Sequence, residues 1–373
     1  MEDLVMSDRR PTFGEFWRGR RVLVTGHTGF KGSWLALWLH EMGASVAGVA
    51  LAPPTTPSHW DLLRLEIPET RADLLDVESL QAAVSASKPD IVFHLAAQPL
   101  VRESYKQPAQ TFATNVVGTL NVYEACRKVG SVKAIVGITT DKVYENREWE
   151  WGYRECDPLG GHDPYSASKA CTEIASSSYR SSFWPLAGYA RTHNTLIATA
   201  RAGNVVGGGD WATDRLIPDL MRSAAASSGK AVIRNPESTR PWQHVLEPLC
   251  GYLMLGQRLL EGDTAFAEAW NFGPDDEGVH TVRDVIRRMH EVWDAVQVEC
   301  RPDPNAPHEA RLLRLDCSKA RTRLGWKPVW KSQATAQLTA DWYRSWYQGG
   351  RIISVEDIQR YVRDARTAGV NGI

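Results

Sequence analysis

The chain has 373 residues, enough for a large core and two unequal lobes. Its 43 Lys and Arg against 44 Asp and Glu leave a formal charge of -1, and nothing in that balance points to nucleic acid or an anionic membrane surface. The 6 cysteines form no Cys-x-x-Cys pair, the N-terminus shows no apolar leader, and no apolar run reaches membrane-spanning length; these features predict a cytoplasmic protein with free thiols and no metal site.

In chain order, Arg18, Arg20 and Arg21 read as a solvated strand entry, and residues 22–25 as a buried strand. A helix over 30–42 follows, with Trp34, Leu35, Trp38 and Leu39 on one face. The 15 tryptophans read as core rather than as a sugar-binding surface. Between strand and helix lie glycines at 26, 29 and 32. Glycine accepts positive φ and lets backbone approach a pyrophosphate, and the helix start offers unpaired N–H groups and a favourable dipole. Gly26, His27, Gly29, Phe30, Lys31 and Gly32 are therefore candidate dinucleotide contacts. Lys31 either adds charge at the phosphates or faces solvent.

The next strand, 46–51, ends in Pro53 and Pro54 with no acid and no Arg, so no cation is offered to a 2′-phosphate; NAD is favoured over NADP. Asp73 and Leu74 follow a third candidate strand. Strands are predicted over 91–96 and 134–139, with a helix over 112–128 between them. Leu95, Ala96, Ala97 and Gln98 are mostly small, which lets a cofactor ring approach the backbone. This alternation predicts an α/β fold: a Rossmann-type doubly wound parallel sheet with a smaller, mixed α/β C-terminal substrate lobe. The expected boundaries are 16–204 for the first lobe, 205–350 for the second with segments crossing between them, and 351–373 as a C-terminal extension. Helices are predicted over 281–294 and 334–348.

Asp163-Pro164 is a good helix start, and it sets Tyr165 and Lys169 at i and i+4 on one face. An ammonium near a phenol favours the phenolate, which would make Tyr165 a usable base. Thr140 stands at the end of the preceding strand, followed by Asp141 and Lys142.

The three-glycine spacing, followed by a strand-end hydroxyl and then Tyr165-x-x-x-Lys169, resembles the extended short-chain dehydrogenase/reductase family. The resemblance implies NAD as cofactor, Thr140 as partner of the substrate hydroxyl, Asn115 as support of the active-site strand, and Asp73 with Leu74 at the adenine. In the nucleotide-sugar 4,6-dehydratases of that family the strand-end Thr is usually followed by Asp-Glu. Asp141-Lys142 departs from this and resembles the CDP-glucose branch, as do the segments 26–34, 98–102, 145–149, 201–205 and 240–245. The resemblance runs from Phe16 to Trp346. It implies CDP-glucose as substrate, Asp141 as the acid at the departing hydroxyl, and Lys142 as either the base at C5 or an orienting group. It also implies nucleotide contacts at Asn204, Arg215, Leu216, Arg240 and His308, and a homodimer or dimer of dimers through the helix carrying Tyr165. The alternatives are a dehydratase or 4-epimerase for another nucleotide sugar, and a non-catalytic NAD-binding sensor or scaffold.

Overall fold

The computed structural model describes residues 13–213, 215–226, 230–233, 236–275, 279–301, 312–370 and 373; at 239–240 and 279–280 it describes the backbone alone. The strands are β1 (Arg21–Thr25), β2 (Ser45–Ala50), β3 (Glu69–Arg71), β4 (Ile91–His94), β5 (Ala134–Ile138), β6 (Leu196–Ala202) and β7 (Ala269–Phe272); all but β3, a polar and largely exposed edge strand, are short, mostly apolar and mostly buried runs. They make one sheet in the order β7-β6-β5-β4-β1-β2-β3, and every neighbouring pair is parallel. Parallel neighbours need crossover connections. These include α1 (Phe30–Glu41), α2 (Val77–Ser87), α3 (Gly118–Arg127), α4 (Pro164–Ser182) and α5 (Leu246–Leu260). The order reverses between β1 and β4, which opens a crevice beyond their carboxyl ends.

Local chemistry explains the helix starts. Asp76 accepts from Ser79 N at the start of α2, and Asp163 accepts from Ser166 N (2.9 Å) at the start of α4, where Pro164 takes the first position. The stretch expected as one helix over 112–128 is broken. Pro108–Phe112 is α-helical, Ala113–Val117 is a π turn, and α3 follows. The widened turn carries Asn115, and such bulges occur often at functional sites.

Trp17, Trp34, Trp38, Trp270, Trp326 and Trp342 are fully buried, so tryptophan is mainly core; Trp151, at 73 % exposed, departs from that pattern. The cysteines are free thiols. Beyond residue 204 the chain builds short two-stranded ladders, Val205–Val206 with Gln243–His244 and Thr239–Pro241 with Val279–Thr281 among them. It also returns β7 to the main sheet beside β6.

The last two helices, α6 (Ser332–Gly349) and α7 (Ser354–Ala368), dock on the first lobe. Ser354 Oγ accepts from Trp342 Nε1 (2.9 Å) and bonds His59 Nε2 (2.8 Å), whose Nδ1 meets Ser33 Oγ of α1 (2.8 Å). Glu247 of α5 accepts Trp330 N (2.6 Å) and Tyr361 OH (2.9 Å). Among the described residues no helix is long and apolar enough to cross a membrane, and no group of three or more His, Cys, Asp or Glu is arranged to hold a metal ion.

Candidate active site

The glycine turn fills the crevice between β1 and β4. Gly26 N donates to Val49 O (2.8 Å) and Thr28 Oγ1 to Leu51 O (3.0 Å), which pins the turn to the end of β2. Gly26 has φ +77°, and a Cβ there would lie 2.7 Å from Ala96 N; one on Gly32 would lie 2.0 Å from Gly26 O. Both positions therefore require glycine. Helix α1 begins at Gly29 without a side-chain cap, so its first N–H groups and the positive end of its dipole are left for an anion. A pyrophosphate fits this donor set.

The loop's side chains divide. Phe30 packs beside Gly207, where a Cβ would lie 3.4 Å from its ring. His27 is buried, bonded through Nε2 to Glu69 Oε2 (2.9 Å) and edge-on to Trp60, so what it offers the turn is backbone. Lys31 is not a solvent-facing residue. Burial pushes its ammonium down to about 8; Arg215 and Lys169 push the same way and Asp141 opposes.

Asp73 Oδ1 accepts Leu75 N (2.9 Å), while the Leu74 side chain is buried against Gly118. The end of β2 is not as bare as its own residues suggest. Arg71 of β3 donates to Leu51 O (3.0 Å) and pairs with Glu69 (2.9 Å). Acid and cation thus arrive together from the neighbouring strand, and pairing leaves little net positive charge for a 2′-phosphate. Along the crevice Ala96 N donates to Thr25 Oγ1 (3.2 Å), and Leu95 N to Thr25 O (3.1 Å). Ala97 is half-buried, as is Gln98. Asn115 is 1 % exposed: its Oδ1 accepts Gln98 N (2.8 Å), and its Nδ2 donates to Gln98 O (3.1 Å) and Ser168 Oγ (2.8 Å). One side chain thereby ties the loop after β4 to α4.

Thr140, Asp141 and Lys142 form a tight turn after β5, with Thr140 capping it. Thr140 Oγ1 donates to Asp141 Oδ1 (2.9 Å) and also hydrogen-bonds the Tyr165 phenol. Asp141 is buried, and Gly203 backs it so closely that a Cβ there would lie 2.6 Å from Asp141 Oδ2. On α4, Lys169 Nζ donates to Ile138 O (3.0 Å), and burial pushes its ammonium down to about 8 against the pull of Glu173.

The expectation of a phenol brought down toward neutral pH is not met in this structure. Burial dominates and pushes that phenol up to about 12, with the Thr140 hydrogen bond and Arg215 opposing and Asp141 and Asp163 adding to the rise.

A small cleft beside Gly203 is lined by Pro241, Gly273, Pro274, Asp275 and Arg314 as well. Asn204 lies at its edge and accepts Gln243 N (3.1 Å) through its carbonyl. Arg215 pairs with Asp210 (3.0 Å) at the start of the helix Leu216–Ala225, and it acts on Lys31 and Tyr165. The backbone of Arg240 lies in the strand beside Val279–Thr281, and His308 lies outside the described residues. Asp275 and Arg314 reach this cleft without a signal in the sequence, and the Glu69–Arg71 pair meets Leu51 only through strand pairing.

A family model described as GDP-mannose 4,6 dehydratase matches residues 23–339. A CDP-glucose 4,6-dehydratase of Salmonella typhimurium (strain LT2) is 54% identical over 317 residues, 84% of this chain and 88% of that protein. Among solved structures, the epimerase Mth375 of Methanothermobacter thermautotrophicus matches with a TM-score of 0.77 at 25% identity, covering 93% of this chain and 96% of its own. The UDP-glucose 4-epimerase of Thermus thermophilus, solved with NAD, matches at 0.74 and 26% identity, covering 87% and 99%.

Proposed function

The chain belongs to the GDP-mannose 4,6 dehydratase family, and from that premise we propose that it converts CDP-D-glucose to CDP-4-dehydro-6-deoxy-D-glucose and water. The observation that carries this reading is the Thr140 hydroxyl, which stands between the Tyr165 phenol and the carboxyl of Asp141, an acid that a simple epimerisation does not need.

The glycine turn and the start of α1 would hold NAD, which when bound would supply the hydride chemistry needed at C4 and at C6. Tyr165 takes the proton of the C4 hydroxyl at its phenol oxygen, with Thr140 orienting both groups. Oxidation at C4 acidifies the C5 proton, and Lys142 either accepts it or holds the oxygen beside it. Asp141 protonates the C6 hydroxyl as it leaves as water. Gly203 and the cleft beyond it receive the sugar, with Asn204, Arg215, Leu216, Arg240 and His308 toward the nucleotide. Residues 16–204 act as the NAD-binding domain and 205–350 as the nucleotide-sugar lobe.

Exposed Ile174, on α4, with Val117 and Tyr105 supports a homodimer through that helix, and the composition supports a cytoplasmic enzyme. The test is incubation with NAD and, separately, CDP-, dTDP- and UDP-glucose and GDP-mannose, following the alkali chromophore of the 4-keto product and the loss of water by mass. CDP-glucose alone should turn over. Dehydration of another nucleotide sugar in its place, or of none, would defeat the reading.

A further inference from the structure

Two buried charges beneath the 140–142 turn take no part in the chemistry above. Glu173 lies one helical turn beyond Lys169 on α4, and Arg201 lies on β6. They are 4 % and 3 % exposed, and Arg201 Nη2 meets Glu173 Oε2 at 2.8 Å. Such a pair is a weak source of stability, because desolvation of both ions offsets their attraction. Its remaining bonds indicate what it holds. Thr139 Oγ1 donates to Glu173 Oε1 (2.5 Å), and Thr199 Oγ1 to Oε2 (2.7 Å). Arg201 Nη1 donates to Tyr144 OH (2.7 Å) and to Glu155 O (3.2 Å). Tyr144 OH donates on to Asn271 Oδ1 (2.7 Å), and its ring stacks on Tyr153 at 5.1 Å. Thr139 is the residue before Thr140, and Tyr144 stands just after the turn. One ion pair therefore grips the turn from both sides.

We propose that Glu173 and Arg201 are positioning residues for the dehydration: their pair clamps the 140–142 turn against the helix bearing Tyr165 and Lys169, and sets a carboxylate one helical turn from the Lys169 ammonium. This rests on the reading of the reaction given above. The other groups facing Lys169 are Lys31 of α1, His94 at the end of β4, held neutral by burial, and Tyr165 on its own helix. None of these supplies a negative charge at neutral pH, so Glu173 is what opposes the desolvation of Lys169.

Glu173→Gln keeps the size and one acceptor and removes the charge. In single-turnover reactions the alkaline limb of cofactor reduction should move down by roughly one pH unit, and Glu173→Asp should restore it. A rate lowered equally at every pH, with the limb in place, would mean a merely structural role and overturn the proposal. Should the single variant fail to fold with Arg201 left unpaired, Glu173→Gln/Arg201→Met removes both charges and carries the same expectation.

Tyr144→Phe tests the other grip. Water elimination should slow on the order of tenfold while C4 oxidation persists, so reduced cofactor accumulates; no accumulation would overturn the clamp. Failure of the wild-type chain to dehydrate any nucleotide sugar would defeat the reaction assignment instead. Competitive acetylation of lysines across pH, read by mass spectrometry, needs no sugar and still judges the pair. The Lys169 midpoint should fall in Glu173→Gln, and an unmoved midpoint would overturn the proposal.

Discussion

The division of labour between Tyr165 and Asp141 is a matter of single atoms. Both meet the Thr140 hydroxyl, and the proposed reaction assigns them to different steps. Tyr165→Phe removes the oxygen that takes the first proton and little else, so turnover should fall by at least about three orders of magnitude, the reach of a positioned acid–base group. NAD affinity, measured by calorimetry, should stay within a few-fold. Asp141→Asn should leave the first step running and block the second. Mixing that variant with NAD and CDP-glucose should build up reduced cofactor, followed by the near-ultraviolet absorbance that belongs to the cofactor itself. Equal loss of both steps would remove Asp141 from the acid role. Burial that holds the Tyr165 phenol near about 12 adds a direction: oxidation in the wild-type protein should rise with pH until Lys169 deprotonates.

At the scale of elements, the site exists because three ends meet: the turn after β1, the loop after β4 and the start of α4. Asn115 joins the last two from a π turn, where the widened backbone frees its carbonyl to accept the hydroxyls of Thr119 (2.6 Å) and Thr172 (3.0 Å). Asn115→Ala leaves Gln98 N and Ser168 Oγ without this partner in a part-buried setting. The cost should be about 2–3 kcal/mol of stability, read by urea unfolding, with weakened NAD binding. Asn115→Asp keeps the acceptor for Gln98 N but loses both donations from Nδ2 and buries a carboxylate, so it should cost at least as much. An alanine variant as stable as the wild type would show that the loop after β4 is held by other contacts.

Across the whole molecule, burial of titratable groups sets the pH range of stability. Burial pushes His59, His94 and His244 down to about 3, and His27 in the same direction, so these rings stay neutral in the folded protein while the unfolded chain protonates them near 6.5. Burial pushes Glu247 and Asp357 up to about 7, so the folded protein takes up protons there before the unfolded chain does. Each proton of difference changes stability by about 1.4 kcal/mol per pH unit. Between about 6.5 and 4.5 the histidines, which lose stability as pH falls, are partly offset by the two carboxylates. Below about 4.5 the unfolded chain protonates those carboxylates as well, and the offset stops growing. Thermal unfolding should therefore show a Tm that declines gently to about pH 4.5 and steeply beneath it; a Tm flat down to about pH 4 would contradict the buried, neutral histidines.

The same scale separates what was legible in the residues from what was not. The strand–turn–helix of the glycine loop, the alternation that makes a parallel sheet, the i and i+4 spacing of Tyr165 and Lys169 and the Thr140-Asp141-Lys142 run are short-range patterns, and backbone geometry alone relates their residues. The contact of Arg71 on β3 with the end of β2, the coupling of Lys31 to Asp141, the Glu173–Arg201 pair and the docking of Ser354 on His59 had no such pattern. Glu173 and Arg201 stand 28 positions apart and His59 and Ser354 stand 295 apart. Which of these groups meet is set by strand order and by which faces pack together, and that choice belongs to the core as a whole, where burial decides the charge each group can carry.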